Sequence, residues 1–125
     1  MGEIETYFFD TYAFYEIIHG NKNYRKYEKG IAIITTKLNL MELHYGLMLL
    51  YGKNYADYYY DLFISFVVDF DDNIIKKSNE FRIKNKKLRL SYIDCIGYTI
   101  AKNSGVKFLT GDEGFKTFEN VEFVK

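Results

Sequence analysis

Five short apolar runs, separated by longer stretches of helical period, constrain this chain more than any other feature. Ile4 to Phe9 (IETYFF), Ile31 to Thr35 (IAIIT), Phe66 to Phe70 (FVVDF), Val106 to Leu109 and Val121 to Val124 are rich in β-branched and aromatic residues, the composition of strands. IAIIT is nearly continuous, as strands covered on both faces tend to be. Between these runs the spacing predicts helices over 11–18, 22–29 (closed by Gly30), 37–51 (stopped by Gly52), 54–65, 71–87 and 92–103, the last capped by Ser91 and closed by Gly105. A turn from Thr110 to Phe115 leads into one more helical turn. Such alternation is the mark of a parallel sheet covered by helices on both faces. The expectation is an α/β fold with a mainly parallel sheet of about five strands. At about 100° per residue, the apolar side chains of 37–51 point in almost every direction, which predicts a buried helix.

A length of 125 residues fits one domain with one core, expected to span 1–125. Rings must fill much of that core, because the chain has 13 Tyr and 11 Phe but no Trp. Its 17 basic and 17 acidic side chains cancel, so any attraction for nucleic acid has to be local rather than a property of the whole molecule. A single cysteine, Cys95, excludes an internal disulfide and fits a reducing compartment. No signal-peptide pattern and no membrane-length apolar run is seen, which predicts a soluble, cytoplasmic protein.

Four carboxylates stand out against this pattern. Asp10 and Asp112 each follow a strand-like run, while Glu42 and Asp94 sit in largely apolar helical stretches. In open α/β sheets, side chains just past the carboxyl ends of the strands line the ligand crevice. Several carboxylates converging there repel one another unless a hard divalent cation offsets them. Each acid also has a structural reading. Asp10 can cap the following helix, and Ser91 to Asp94 has the form of a capping box, as have Thr110 and Glu113. Glu42 is harder to explain that way. On a helical wheel it falls among Leu38, Tyr45, Gly46 and Leu49, where a carboxylate facing a core without a partner is costly. An all-oxygen donor set suits Mg²⁺ or Mn²⁺ rather than zinc, since the only histidines, His19 and His44, belong to no H-E-x-x-H pattern.

Other chemistries lack their residues. Asp10 is preceded by Phe9 and followed by Thr11, without the paired acids of a phosphotransfer receiver, and position 12 is Tyr rather than the second Asp of a haloacid-dehalogenase phosphatase. No GxxxxGK[ST] or GxGxxG is present. Cys95 has no His–Asp relay around it and is assigned to the core.

Three blocks in order, FFDTYAFYEI, TKLNLMELHYGL and LSYIDCIGYTIAKNSGVKFLTGDEGF, resemble a PIN domain, and within that superfamily the VapC-type toxins and other small prokaryotic PIN proteins. The resemblance implies a three-layer α/β/α sandwich and Mg²⁺- or Mn²⁺-dependent endoribonuclease activity leaving a 5′-phosphate and a 3′-hydroxyl. It assigns Asp10 and Asp94 as main metal ligands, Glu42 as ligand or water-positioner, and Asp112 to an outer or second-metal role. Thr11 and Thr110 would support the carboxylates from behind. The family likeness also implies a homodimer and an antitoxin that blocks the site. One departure is Gly114, where many members carry a further acid; it leaves open a PIN-like RNA-binding or assembly module without turnover.

Between Lys76 and Arg89, seven basic residues face one acid, Glu80, and this cluster runs directly into the Asp94 segment. Lys84, Lys86, Lys87 and Arg89 are its candidates for holding RNA phosphates, the alternative being a solvated helix face. Lys22, Arg25, Lys26 and Lys29 form a second basic stretch. Tyr55, Tyr58, Tyr59, Tyr60 and Phe63 cannot all point inward from one helix, and the exposed remainder suits a partner surface.

Overall fold

The computed structural model describes residues 3–125. Four strands, β1 (Thr6–Phe9), β2 (Ala32–Ile34), β3 (Lys107–Thr110) and β4 (Val121–Phe123), form one sheet in the order β2-β1-β3-β4. Every pairing is parallel, with Phe8 opposite Ile34 on one side and Phe108 on the other. The sheet thus has four strands rather than about five. FVVDF supplies only a single bridge, Thr35 to Val67, because a 3-10 turn at Ile64–Phe66 delivers the chain to the sheet edge and helix begins again at Asp72.

Five helices cover the sheet: α1 (Thr11–Ile18), α2 (Lys37–Tyr51), α3 (Lys53–Phe63), α4 (Asp72–Lys84) and α5 (Tyr92–Ser104). Four of their starts, all but that of α3, which begins directly after Gly52, follow from short polar side chains that satisfy the free N–H groups of the first turn. Asp10 accepts from Ala13 N–H at 2.8 Å, Thr36 from Asn39, Asp71 from Ile74 and Ser91 from Asp94. Gly105, with φ of 69°, ends α5 in the left-handed region that glycine adopts without a Cβ penalty. The basic segment is not one helix to Lys87. It breaks at Asn85 and resumes as a 3-10 turn over Lys86–Leu88.

Two aromatic cores lie on either face of the sheet. Tyr7, Phe9, Phe14, Tyr24, Tyr27 and Phe63 pack with Leu40, Leu43 and Leu47 under α1, α2 and α3. Phe8, Tyr98, Phe108 and Phe115 pack with Cys95 and Ile100 under α4 and α5. Ring contacts at 4.6 to 5.8 Å, such as Phe14 on Phe63 and Tyr98 on Phe108, occupy volume that aliphatic side chains fill in many domains of this size. Gly97 brings α5 onto the sheet: a Cβ there would stand 2.7 Å from the Phe8 ring.

The expectation that α2 is buried all round is corrected by the structure. Leu40, Leu43 and Leu47 face the core, but Met41, Tyr45, Met48, Leu49 and Leu50 are exposed, Leu49 at 72%. α1 and α3 press on this helix from within, and among the described residues no further layer covers its outer face. Among the described residues, no helix is long and apolar enough to cross a membrane.

Candidate metal centre and acidic cleft

All three crossovers, two to a neighbouring strand and the β2-to-β3 one past β1, leave a loop or helix start at the carboxyl end of the sheet, and the acids collect there. Asp10, Glu42, Asp94 and Asp112 line one open cleft of about 480 Å³, together with Thr11, Tyr12, Tyr15, Gly111, Glu113 and Lys125. Residues more than a hundred positions apart in the chain, such as Asp10 and Asp112, thus line the same cleft.

Asp10 follows β1 directly and is 1% exposed. It caps α1 and also faces the cleft, so the structural and functional readings of this residue coexist. Burial raises its carboxyl well above the ordinary range, hydrogen bonds from Thr110 and from Ala13 N–H pull the other way, and the charges of Asp94 and Asp112 add to the rise. Asp94 behaves similarly. Desolvation, opposed by its hydrogen bond with Ser91 and assisted by the charges of Glu42 and Asp112, pushes it up to about 6. Asp10 thus feels the charges of Asp94 and Asp112, and Asp94 those of Glu42 and Asp112.

Glu42 differs from the expectation that it faces the core. It lies on the exposed side of α2, one turn beyond Asn39, and reaches the cleft from the solvent side. Asp112 is held by its own turn: its N–H donates to Thr110 Oγ1 at 3.0 Å, and its Oδ1 accepts from Gly114 N–H at 2.9 Å. The expected pairing of Thr110 with Glu113 in a capping box is therefore replaced by Asp112 capping the turn, while Glu113 faces Lys125 at 3.5 Å. Gly114 is closely packed. A Cβ there would meet Leu90 Cδ2 at 2.9 Å and Asp112 Oδ1 at 3.3 Å.

The donors are all oxygen. Neither histidine belongs to the cleft: His44 pairs with Asp57 at 2.7 Å, and His19 with the Tyr51 hydroxyl at 3.0 Å. Among the described residues, no three His, Cys, Asp or Glu side chains stand close enough to form a ready-made cation cage. A set of spaced carboxylates around an open, wettable cleft fits Mg²⁺, which keeps several waters and uses one or two protein carboxylates, better than it fits a dehydrating all-protein site.

Two groups of residues escaped the sequence reading. Thr36 and Asn39 are fully buried, with Thr36 Oγ1 donating to Asn39 Oδ1 at 2.7 Å and Asn39 Nδ2 donating to Thr11 Oγ1 at 3.3 Å. Thr35, also buried, donates to the Phe9 carbonyl at 2.9 Å. This polar network ties the start of α2 to the end of β1 and so fixes where Glu42 stands relative to Asp10. The available signal was an Asn at the i−4 position from Leu43, on the face that packs inward. Tyr12 and Tyr15, which line the cleft, were read only as part of the strand-to-helix block.

The basic candidates remain on the surface. Lys84, Lys86, Lys87 and Arg89 are exposed and, among the described residues, enter no ion pair. Arg82 is committed differently, donating to the Leu90 carbonyl at 2.9 Å and lying over the Tyr92 ring at 4.0 Å. Because Leu90 packs against Gly114, the basic turn at 86–89 adjoins the Asp112 turn.

A parallel sheet whose carboxyl edge carries several acids defines an α/β protein with its candidate ligand crevice at that edge. Residues 7–121 match the PIN domain, and the chain belongs to that family. No significant match was found among curated proteins. Among solved structures the fold is similar to VapC20 of Mycobacterium tuberculosis, described as a sarcin-ricin loop cleaving toxin, with a TM-score of 0.76 and 18% identity over 93% of this chain and 98% of that one. It is also similar to a chain of VapBC2 from Rickettsia felis bound to a promoter DNA fragment, with a TM-score of 0.74 and 21% identity over 96% and 99% of the two chains. A toxin-antitoxin complex from Klebsiella pneumoniae gives a TM-score of 0.71 and 15% identity over 92% and 94%.

Proposed function

We propose that this chain is a metal-dependent endoribonuclease, the toxin of a toxin-antitoxin pair. The observation that carries the reading is the gathering of Asp10, Glu42, Asp94 and Asp112 on one cleft at the carboxyl edge of the sheet. Two of these acids are so desolvated that their charge is disfavoured without a cation. Membership of the PIN domain family and likeness to VapC structures support it.

In this reading Asp10 and Asp94 hold Mg²⁺ or Mn²⁺, Glu42 is a ligand or positions the attacking water, and Asp112 acts at the outer side. A bound ion supplies positive charge that orients the scissile phosphate and offsets charge on the leaving oxygen, and it lowers the pKa of the attacking water. The protein's own part is positional. Thr110 hydrogen-bonds the buried Asp10, Ser91 ties Asp94, and the network through Thr11 and Asn39 sets the α2 side of the cleft. Lys84, Lys86, Lys87 and Arg89 guide RNA phosphates toward the Asp112 turn. The exposed apolar side of α2, with Met41, Tyr45 and Leu49, supplies surface for a second copy of the chain and for an antitoxin.

A binding or assembly module without turnover is the second reading. It is favoured by Asp112, whose Oδ1 is turned to the Gly114 N–H rather than toward a second ion. RNA cleavage in Mn²⁺ separates the two. Asp10→Asn and Asp94→Asn each abolish cleavage while leaving the circular dichroism spectrum unchanged. Equal cleavage by wild type and both variants, or no cleavage by the wild type, gives the answer to the binding module.

A further inference from the structure

The acidic cleft contains two aromatic side chains for which the proposed hydrolysis has no use. Tyr12 and Tyr15 stand three residues apart on α1, hence on one face of the helix, and both line the cleft beside the carboxylates. Both are half-buried, unlike Phe14 between them, which is 1% exposed and belongs to the core.

Each ring occupies a notch made by a glycine. A Cβ at Gly46 of α2 would overlap the Tyr15 hydroxyl, and a Cβ at Gly111 would overlap the Tyr12 ring. Gly111 is itself on the cleft wall, next to Asp112, and Gly46 lies one helical turn beyond Glu42. Behind the notches the rings have aromatic neighbours. Tyr12 is 6.5 Å from Tyr24, and Tyr15 is 5.8 Å from His19, which the Tyr51 hydroxyl holds in turn. The two rings are therefore fixed in place, one toward the Asp112 turn and one toward Glu42.

A phosphodiester held at the carboxylates carries a nucleoside on each side. Every nucleobase has an apolar π-face, and stacking it on a fixed aromatic ring is favourable whatever its identity. Such a face is accessible only when the base is out of a duplex stack. We propose that Tyr12 and Tyr15 form a base-stacking platform that takes the unstacked nucleobase next to the scissile phosphate. The proposal rests on the ribonuclease reading for the position of the phosphate. Lys125, whose ammonium faces Glu113 at 3.5 Å, is the basic residue that lines the same cleft.

The test is fluorescence anisotropy of a short fluorescein-labelled single-stranded RNA of random sequence, in Ca²⁺ buffer, with a gel afterwards to verify that the RNA is intact. An abasic oligoribonucleotide of the same length is the second probe. Tyr12→Leu and Tyr15→Leu each weaken binding of the base-bearing RNA by about tenfold, as expected for loss of one stacked base. Tyr12→Phe and Tyr15→Phe stay within about twofold of wild type because they keep the ring. The abasic RNA binds wild type and Leu variants alike. Equal affinity of wild type and Leu variants with unchanged melting curves overturns the platform, as does a loss in the Phe variants as large as in the Leu variants. Ring-dependent binding without any cleavage in Mn²⁺ sinks the nuclease reading alone. Asp10-dependent cleavage with ring-independent binding sinks the platform alone.

Discussion

The two helices that bring carboxylates to the cleft solve opposite problems. α5 is enclosed through its middle, with Cys95, Gly97, Tyr98, Thr99, Ile100 and Ala101 buried, and it delivers Asp94 to a desolvated position where the carboxyl is raised to about 6. α2 buries only one face and delivers Glu42 from solvent. One side of the cleft is thus a pre-built, electrostatically strained half around Asp10 and Asp94. The other is a wet half whose position depends on the Thr36–Asn39–Thr11 network. Buried charge of this kind costs folding free energy that an opposite charge returns, which is why desolvated acids mark functional clefts.

The sharpest way to break the comparison is to remove one acid from each half. Asp94→Asn is expected to lower Mn²⁺-dependent RNA cleavage by more than the roughly 100-fold that loss of an outer-shell partner costs, and Glu42→Gln by less than Asp94→Asn. Equal losses, measured as kcat/KM, would make the two halves equivalent.

Stability against pH tests the strain directly. Asp94 is raised from 3.8 to about 6 in the folded protein, so in the metal-free protein between these values the native state holds more protons than the unfolded one. The contribution of this group to stability is then greatest below about pH 4 and falls as pH rises toward 6, by on the order of 3 kcal/mol. Asp10, raised in the same direction, adds to the slope. Urea melts in EDTA over this range should show the decline, Mg²⁺ should reverse it at pH 7, and Asp94→Asn should flatten it. A metal-free protein whose stability rises through the same window contradicts the buried-acid account.

On the wet half, Asn39→Leu removes the donor to Thr11 and leaves the Thr36 hydroxyl without its acceptor. Cleavage should fall by about 10- to 100-fold. The loss should appear mainly in kcat, with Asn39→Asp, which keeps the acceptor, falling less. The smallest effect belongs to the outer face of α2. Leu49→Ser, at a position 72% exposed, should change the stability of the isolated chain by no more than about 0.5 kcal/mol. If it lowers the mass measured by light scattering, that face is a subunit contact.

Much of this was legible in the residue order. β1, β2, β3 and β4 were marked by short β-branched and aromatic runs, and the α5 boundaries by Ser91 and Gly105, because local propensity and capping act on a few neighbouring residues. Phe66–Phe70 shows where that logic stops. Its composition suits a strand, but edge pairing needs a partner of matching length, and the preceding 3-10 turn leaves room for one bridge only. α2 shows the same limit: an apolar residue on every side of a helix does not say how many neighbours will arrive to cover it.

The order of residues by itself settled that this chain alternates strands with helices and places acids at the ends of apolar runs, since periodicity and caps are local properties. Only the folded arrangement decided that Asp10 and Asp94 are desolvated while Glu42 is wet, that Asp112 bends back to Gly114, and that two tyrosines seat on Gly46 and Gly111. Burial and close approach depend on contacts between segments distant along the chain, and no local pattern encodes which of those segments meet.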